Sequence, residues 1–332
     1  MGPSNQEPAV SQEPPPSPPL SPPLSQEAPE PAEERNWAEL PRDVLLLIFQ
    51  KIGAIEILMA AQWVCRPWRQ LSHEPQLWRC IDMLYHSELF NEIDMESMAR
   101  EAVDRSNGQV EEFYGDYVGS DALLQYIADR TSHLKCLRLI SCYAISDEGL
   151  IEMAKRFPQL EELEISQCSQ FSETLFESFG EAWSQLKRLR LNKRWFSLPL
   201  MEFDDSEALA IAKNMHELHH LQLFANRLTN DGLQAILDNC PHLESLDIRQ
   251  CFHINMDGSL RAKCARIKNL RLPSDPTDDY EFCADIDGVG DSVDDYPSGN
   301  SEIDLVYDDV FDDYYHYYHI SSSDDDHPGF LL

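Results

Sequence analysis

The sequence predicts an α/β protein. A short unit of three helices precedes a curved solenoid of stacked repeats with a parallel concave sheet, and both ends of the chain are disordered tails. Three observations carry that prediction. Leucines recur in fixed phase between residues 134 and 272. A stripe of apolar residues with helical period stands ahead of them. Both ends differ in composition from the rest: residues 1–35 contain 11 prolines, and Asp275 to Leu332 mix ten aromatics with 18 Asp or Glu and no Lys or Arg. Segments of that composition are expected to stay solvated.

Order is expected from about Trp37. Pro41 suits a first helical position, where its missing N–H costs nothing. Val44, Leu45, Ile48, Phe49 and Ile52 then fall on one helical face, and Gly53 suits its end. A second helix carries Ile57, Ala60, Ala61 and Val64. Pro67 breaks it and opens a third with Trp68, Leu71, Leu77 and Trp78. Three short helices make a marginal core alone, so this unit is expected to gain stability from a neighbour.

Behind it the pattern Leu-x-x-Leu-x-Leu appears six times. It runs Leu134, Leu137, Leu139; Leu160, Leu163, Ile165; Leu186, Leu189, Leu191; Leu218, Leu221, Leu223; Leu243, Leu246, Ile248; and Ile267, Leu270, Leu272. First positions are 26, 26, 32, 25 and 24 residues apart. This is the signature of leucine-rich repeats, each adding one strand to a parallel stack. Eight residues after the first Leu stand Cys142, Cys168, Asn226 and Cys251, small side chains suited to satisfying backbone groups at the turn out of the strand. Ser146 and Thr229 are expected N-caps of the helices between strands. Val110 and Phe113 read as the start of a degenerate capping repeat, with Gly115 in place of its third apolar residue. The organisation is therefore a leader over 1–35, the three-helix box over 36–82, a helical linker over 83–109, repeats over 110–273 and an acidic tail over 274–332.

Composition excludes several functions. The net charge is -33, which repels phosphate backbones, so no nucleic-acid partner is expected. Nine cysteines, an odd number without CxxC pairs, fit reduced thiols and a cytoplasmic or nuclear chain. The apolar run Val44 to Phe49 is too short to span a bilayer, so no membrane partner is expected. Nucleotide-binding, hydrolase and zinc-protease motifs are missing from the sequence, and no enzyme activity, cofactor or metal is expected.

Residues Trp37 to Asp82 resemble an F-box. The matching residues are Leu40-Pro41, Val44-Leu45-Leu46, Ile48-Phe49, Ile55, Ile57-Leu58, Val64-Cys65-Arg66, Trp68-Arg69 and Leu77-Trp78. Joined to cysteine-type repeats, the chain is similar to plant-type F-box/leucine-rich-repeat proteins over about 37–273. The resemblance implies a non-catalytic substrate receptor, docked through a Skp-type adaptor onto a cullin–RING ubiquitin ligase, with the repeats holding a client protein. It assigns adaptor contact to Leu40, Pro41, Val44, Leu45, Ile48, Phe49, Ile57, Val64, Cys65 and Trp68. Each of these apolar residues is also a candidate for the box's own core. The alternative is a free-standing repeat scaffold whose N-terminal helices only cap the stack.

On the strands, the second, fourth and sixth positions after the first Leu are expected to face outward into the concavity. Arg138, Glu164 and Arg190 then form an alternating charge ladder, and Arg188, His220 and Phe224 lie beside it. The long third repeat adds an apolar insertion with Trp195 and Phe196. Arg, Trp and Phe side by side are typical interface anchors. Arg188, Arg190, Trp195, Phe196, His220 and Phe224 are therefore the candidate client contacts, unless the insertion folds back on the solenoid's flank.

Overall fold

The phased leucines become strands because each places two apolar side chains on the inner face. A computed structural model describes residues 37, 40–84, 94–168, 171–193 and 203–281. Eight strands form one parallel sheet in sequence order: β1 (Cys80–Met83), β2 (Glu112–Asp116), β3 (Cys136–Ile140), β4 (Glu162–Ser166), β5 (Arg188–Asn192), β6 (His220–Gln222), β7 (Ser245–Asp247) and β8 (Asn269–Arg271). Leu137, Leu163, Leu189, Leu221, Leu246 and Leu270 stand in register across six of them.

Each of the first seven strands is followed by a helix, and each helix packs on the next. These are α4 (Met95–Arg105), α5 (Asp121–Arg130), α6 (Asp147–Arg156), α7 (Glu173–Ala182), α8 (Ser206–Asn214), α9 (Asn230–Asn239) and α10 (Gly258–Cys264). Ser146 and Thr229 cap α6 and α9 as the sequence reading expects, each accepting a backbone N–H from the first turn. The caps are held from the preceding repeat. Asp121 accepts the Ser146 N–H at 2.9 Å and its hydroxyl at 2.6 Å. Asp205 does the same for Thr229, both at 2.7 Å.

The polar position after the strand also does what its chemistry suggests. Cys142 donates its thiol to the Ile140 carbonyl at 3.2 Å, Cys251 to Leu223 at 2.8 Å, and Asn226 accepts the Leu228 N–H at 3.0 Å. Just before it, Ser141, Gln167, Ala225 and Gln250 have positive φ. Each donates its N–H to the sixth-position carbonyl of the next repeat: Ser166, Asn192, Arg249 and Pro273. The backbone thus turns the same corner in repeat after repeat.

The sheet begins earlier than the leucine phase. In β2, Gly115 leaves room for the Val118 carbonyl, onto which a Cβ would fall. β1 precedes it, and α4, in the segment read as a linker, packs on both β1 and α5. Ahead of β1 lies the box: α1 (Arg42–Glu56), a π-helical turn (Ile57–Ala61), α2 (Gln62–Val64), α3 (Arg66–Leu71) and a 3-10 turn (Pro75–Trp78). Gly53, at φ 85° and ψ 174°, breaks α1 where the sequence reading ends it. Extended Cys65 and then Pro67 open α3.

The stretch Arg42–Val64 is, by length and composition, apolar enough to cross a membrane, with a mean hydropathy of 2.0 over its best window. This corrects the reading of Val44 to Phe49 as the limit of the apolar run. The stretch is bent at Gly53 and buries Leu45, Phe49, Ile55 and Ile57 in the protein's own core. The residues through Pro276 form one unit. A second begins at Thr277, and 277–281 of it are described.

Candidate functional site

The box presents two different faces. Inward, Leu45, Phe49 and Ile57 are buried with Trp78, and Phe49 meets the Trp68 ring edge-on with centroids 5.4 Å apart. These three were expected among the adaptor contacts; the structure places them in the box's own core, the other role the sequence left open for them. Burying them on β1 and the rest of the box removes apolar area from water that the box's few residues cannot otherwise hide. Outward, Pro41, Val44 and Val64 are exposed. So are Leu47, Met59 and Trp63, which the sequence reading missed; Trp63 is 63% and Val64 56% exposed. The available signal was spacing: residues 44 and 47 are three apart, and Met59 and Trp63 are four apart. Leu40, Ile48, Cys65 and Trp68 are half-buried between the two faces.

The strand face carries the ladder expected of it. Glu164 is buried on β4 between two arginines, with Oε2 2.6 Å from Arg138 Nε and 3.2 Å from Arg190 Nη1. Its other oxygen accepts the Ser166 hydroxyl at 2.8 Å. One column over, Arg188 Nη1 donates to both oxygens of Glu162 at 2.9 Å. His220 stands beside Arg188 in register. Burial first, and then the Arg188 charge, hold its imidazole below the usual range.

Phe224 is not on this surface. It is 1% exposed, and the Arg249 guanidinium lies 5.8 Å from its ring centroid. The reason is the corner. β6 ends at Gln222, so Phe224 turns in with the sixth-position column of Ser166, Asn192 and Arg249, and all four are buried. Asn192 bridges that column, donating to Ser166 Oγ at 2.9 Å and accepting the Phe224 N–H at 3.3 Å. Trp195 and Phe196 lie outside the described residues.

At the first strands the face changes sign. Asp82 and Glu112 stand there with Cys80, Tyr114 and Cys136, and burial beside Glu112 pushes the Cys80 thiol up to about 12. Asp116, at the end of β2, has a buried Oδ1 without a hydrogen-bond partner among the described residues. Burial raises its carboxyl to about 6. Among the described residues no cluster of His, Cys, Asp and Glu could hold a metal ion.

A helical box with a solvent-facing apolar side, set on a leucine-rich-repeat stack, defines a class of modular binding proteins. The comparisons place the chain within it. The F-box-like family matches residues 37–84, and a Leucine Rich repeat family matches 214–237. The F-box protein SKIP19 of Arabidopsis thaliana is 44% identical over 290 residues, covering 86% of this chain and 91% of that protein. The putative F-box/LRR-repeat protein 23 of the same plant is 47% identical over 250 residues; the match covers 74% of this chain but only 55% of that relative's length. Among solved structures, the Rad7 and Elc1 complex of yeast aligns with a TM-score of 0.42 at 14% identity, over 64% of this chain and 56% of that one. The chain belongs to the F-box/leucine-rich-repeat family.

Proposed function

We propose that the chain is the substrate-recognition adaptor of a Skp–cullin–F-box ubiquitin ligase. Its box docks a Skp-type adaptor and its repeats hold a client protein for ubiquitination. The chain itself supplies no catalytic group to ubiquitin transfer, which runs on other subunits. It raises the effective concentration of the client at the ligase by carrying two binding surfaces.

The observation that carries this reading is the box's outer face. Pro41, Val44, Leu47, Met59, Trp63 and Val64 remain in solvent although the box has a filled core. A cap that served only to close the stack would gain nothing from exposed Trp63 and Met59, whereas a protein interface is built from such side chains. On the client side the proposed contacts are Arg188, Arg190 and His220, with Trp195 and Phe196 of the insertion.

The test is co-purification of the full chain with a Skp-type adaptor. Trp63→Asp and Val64→Asp are expected to abolish it while leaving the melting temperature unchanged, because neither residue is in the core. Undiminished co-purification of both variants would overturn the proposal.

A further inference from the structure

Resting on the receptor reading, we infer that the client segment held over β3 to β6 is acidic. The strand face there carries Arg138, Glu162, Glu164, Arg188, Arg190 and His220. Three guanidinium groups thus meet two carboxylates. The two carboxylates are not equally presented: Glu164 has 3% of its side chain in solvent, while its arginines keep 21% and 29%. An incoming chain therefore meets the guanidinium groups before it meets the carboxylate between them. On a protein of net charge -33 this strip inverts the local sign. Guanidinium is the cation best suited to carboxylate, because it donates from a planar fork and is weakly hydrated.

The geometry sets the length. Three interstrand steps of ~4.8 Å make ~14 Å, about four residues of extended chain laid across the strands. Asp82 and Glu112 bound the strip on the β1–β2 side. Like charge there costs an acidic segment that slides toward the box, so the register of the client is fixed at that end. A basic segment is repelled by the strip itself.

The full chain, with and without its Skp-type adaptor, is titrated against two fluorescent peptides. One has a central run of four Asp and Glu between serines; the other has the matching Asn and Gln. The acidic peptide is expected to bind at least about tenfold more tightly. Arg188→Gln and Arg190→Gln are each expected to remove most of that preference, weakening the acidic peptide far more than the amide peptide. Arg188→Gln takes the arginine only from the part-exposed Glu162, so the fold survives it, and an unchanged melting temperature verifies this. Equal affinity for the two peptides, an unchanged preference in Arg188→Gln, or tighter binding of a single-stranded oligonucleotide of equal charge would each overturn the inference. Adaptor capture is read on the same preparation. A chain that captures adaptor but does not prefer the acidic peptide sinks this inference alone, and one that fails to capture adaptor sinks the receptor reading.

Discussion

Arg105, in the last turn of α4, gives Nη2 to Gln62 Oε1 of the box at 3.0 Å. Its Nε pairs with Glu101 at 2.7 Å, its guanidinium lies 5.4 Å from the Trp78 ring centroid, and its side chain is 10% exposed. Trp78 in turn donates its indole N–H to the Ser72 carbonyl at 2.9 Å. The box is therefore locked to the first repeat by a polar clamp over an aromatic floor, and α1 packs directly on β1. In the proposed receptor this would fix the distance between the client and whatever holds the box.

Removing that clamp has a defined outcome. Arg105→Ala leaves Gln62 Oε1 without its donor and uncovers Trp78, so it is expected to cost about 1–3 kcal/mol of stability. Denaturant titration of the full chain measures this, and a loss smaller than that of an exposed control such as Arg69→Ala would refute the clamp.

The two faces of the box predict opposite phenotypes. Phe49→Ala opens a cavity at a fully buried site and is expected to cost about 3–5 kcal/mol. Trp63→Ala is expected to leave stability within about 0.5 kcal/mol, with its effect confined to adaptor affinity. Thermal melts set beside adaptor titrations separate the two.

Glu164 holds the centre of the strand face. Glu164→Ala leaves Arg138 and Arg190 facing each other without a shared carboxylate and is expected to destabilise by about 3 kcal/mol. Glu164→Gln, which still offers one oxygen, is expected to cost less. Melting temperatures of both variants equal to that of the unchanged chain would show that the shared carboxylate contributes nothing.

Gly232 and Gly149 sit where the preceding repeat's aspartate passes. A Cβ on Gly232 would run into the Asp205 carboxylate, and one on Gly149 into Asp121. Each Gly→Ala change, though favourable to a helix by propensity, is expected to destabilise by about 1–3 kcal/mol. A rise in melting temperature for Gly232→Ala would refute this account of the repeat junction.

Asp116 makes stability depend on pH. Its folded value of about 6 lies above the ordinary carboxylate range, so the folded state holds the proton more tightly than the unfolded chain. The contribution is fully present below pH ~4 and is lost as pH rises through about 6. Asp116→Asn is therefore expected to raise the melting temperature at neutral pH and to have little effect near pH ~4. A pH-independent difference between the two proteins would exclude burial of the charge as the cause.

The repeat frame was legible because its physics is local and periodic. Leu137, Leu163 and Leu189 declare a strand by spacing alone, and Ser146 and Thr229 declare helix starts by their position ahead of an apolar run. β1 and α4 were not legible as repeat elements, since Cys80–Met83 lacks the leucine phase and Gly115 masks the next one. Phe224 was misplaced because period-two alternation was carried two residues past the end of β6 at Gln222. The stacked Ser166 and Asn192 were the signal that this column turns inward.

By itself the sequence determined that phased leucines stack into a parallel sheet with helices between, and that a short helical unit precedes them. Both follow from periodicities of two and 3.6 residues that every segment carries within itself. Only the tertiary structure decided which apolar residues are used up in folding. Phe49 and Trp63 are both aromatic residues of the box, yet one is fully buried and the other mostly in water. Burial depends on which surfaces a helix is packed against, and a residue's neighbours in space are set by the whole chain rather than by its neighbours in sequence.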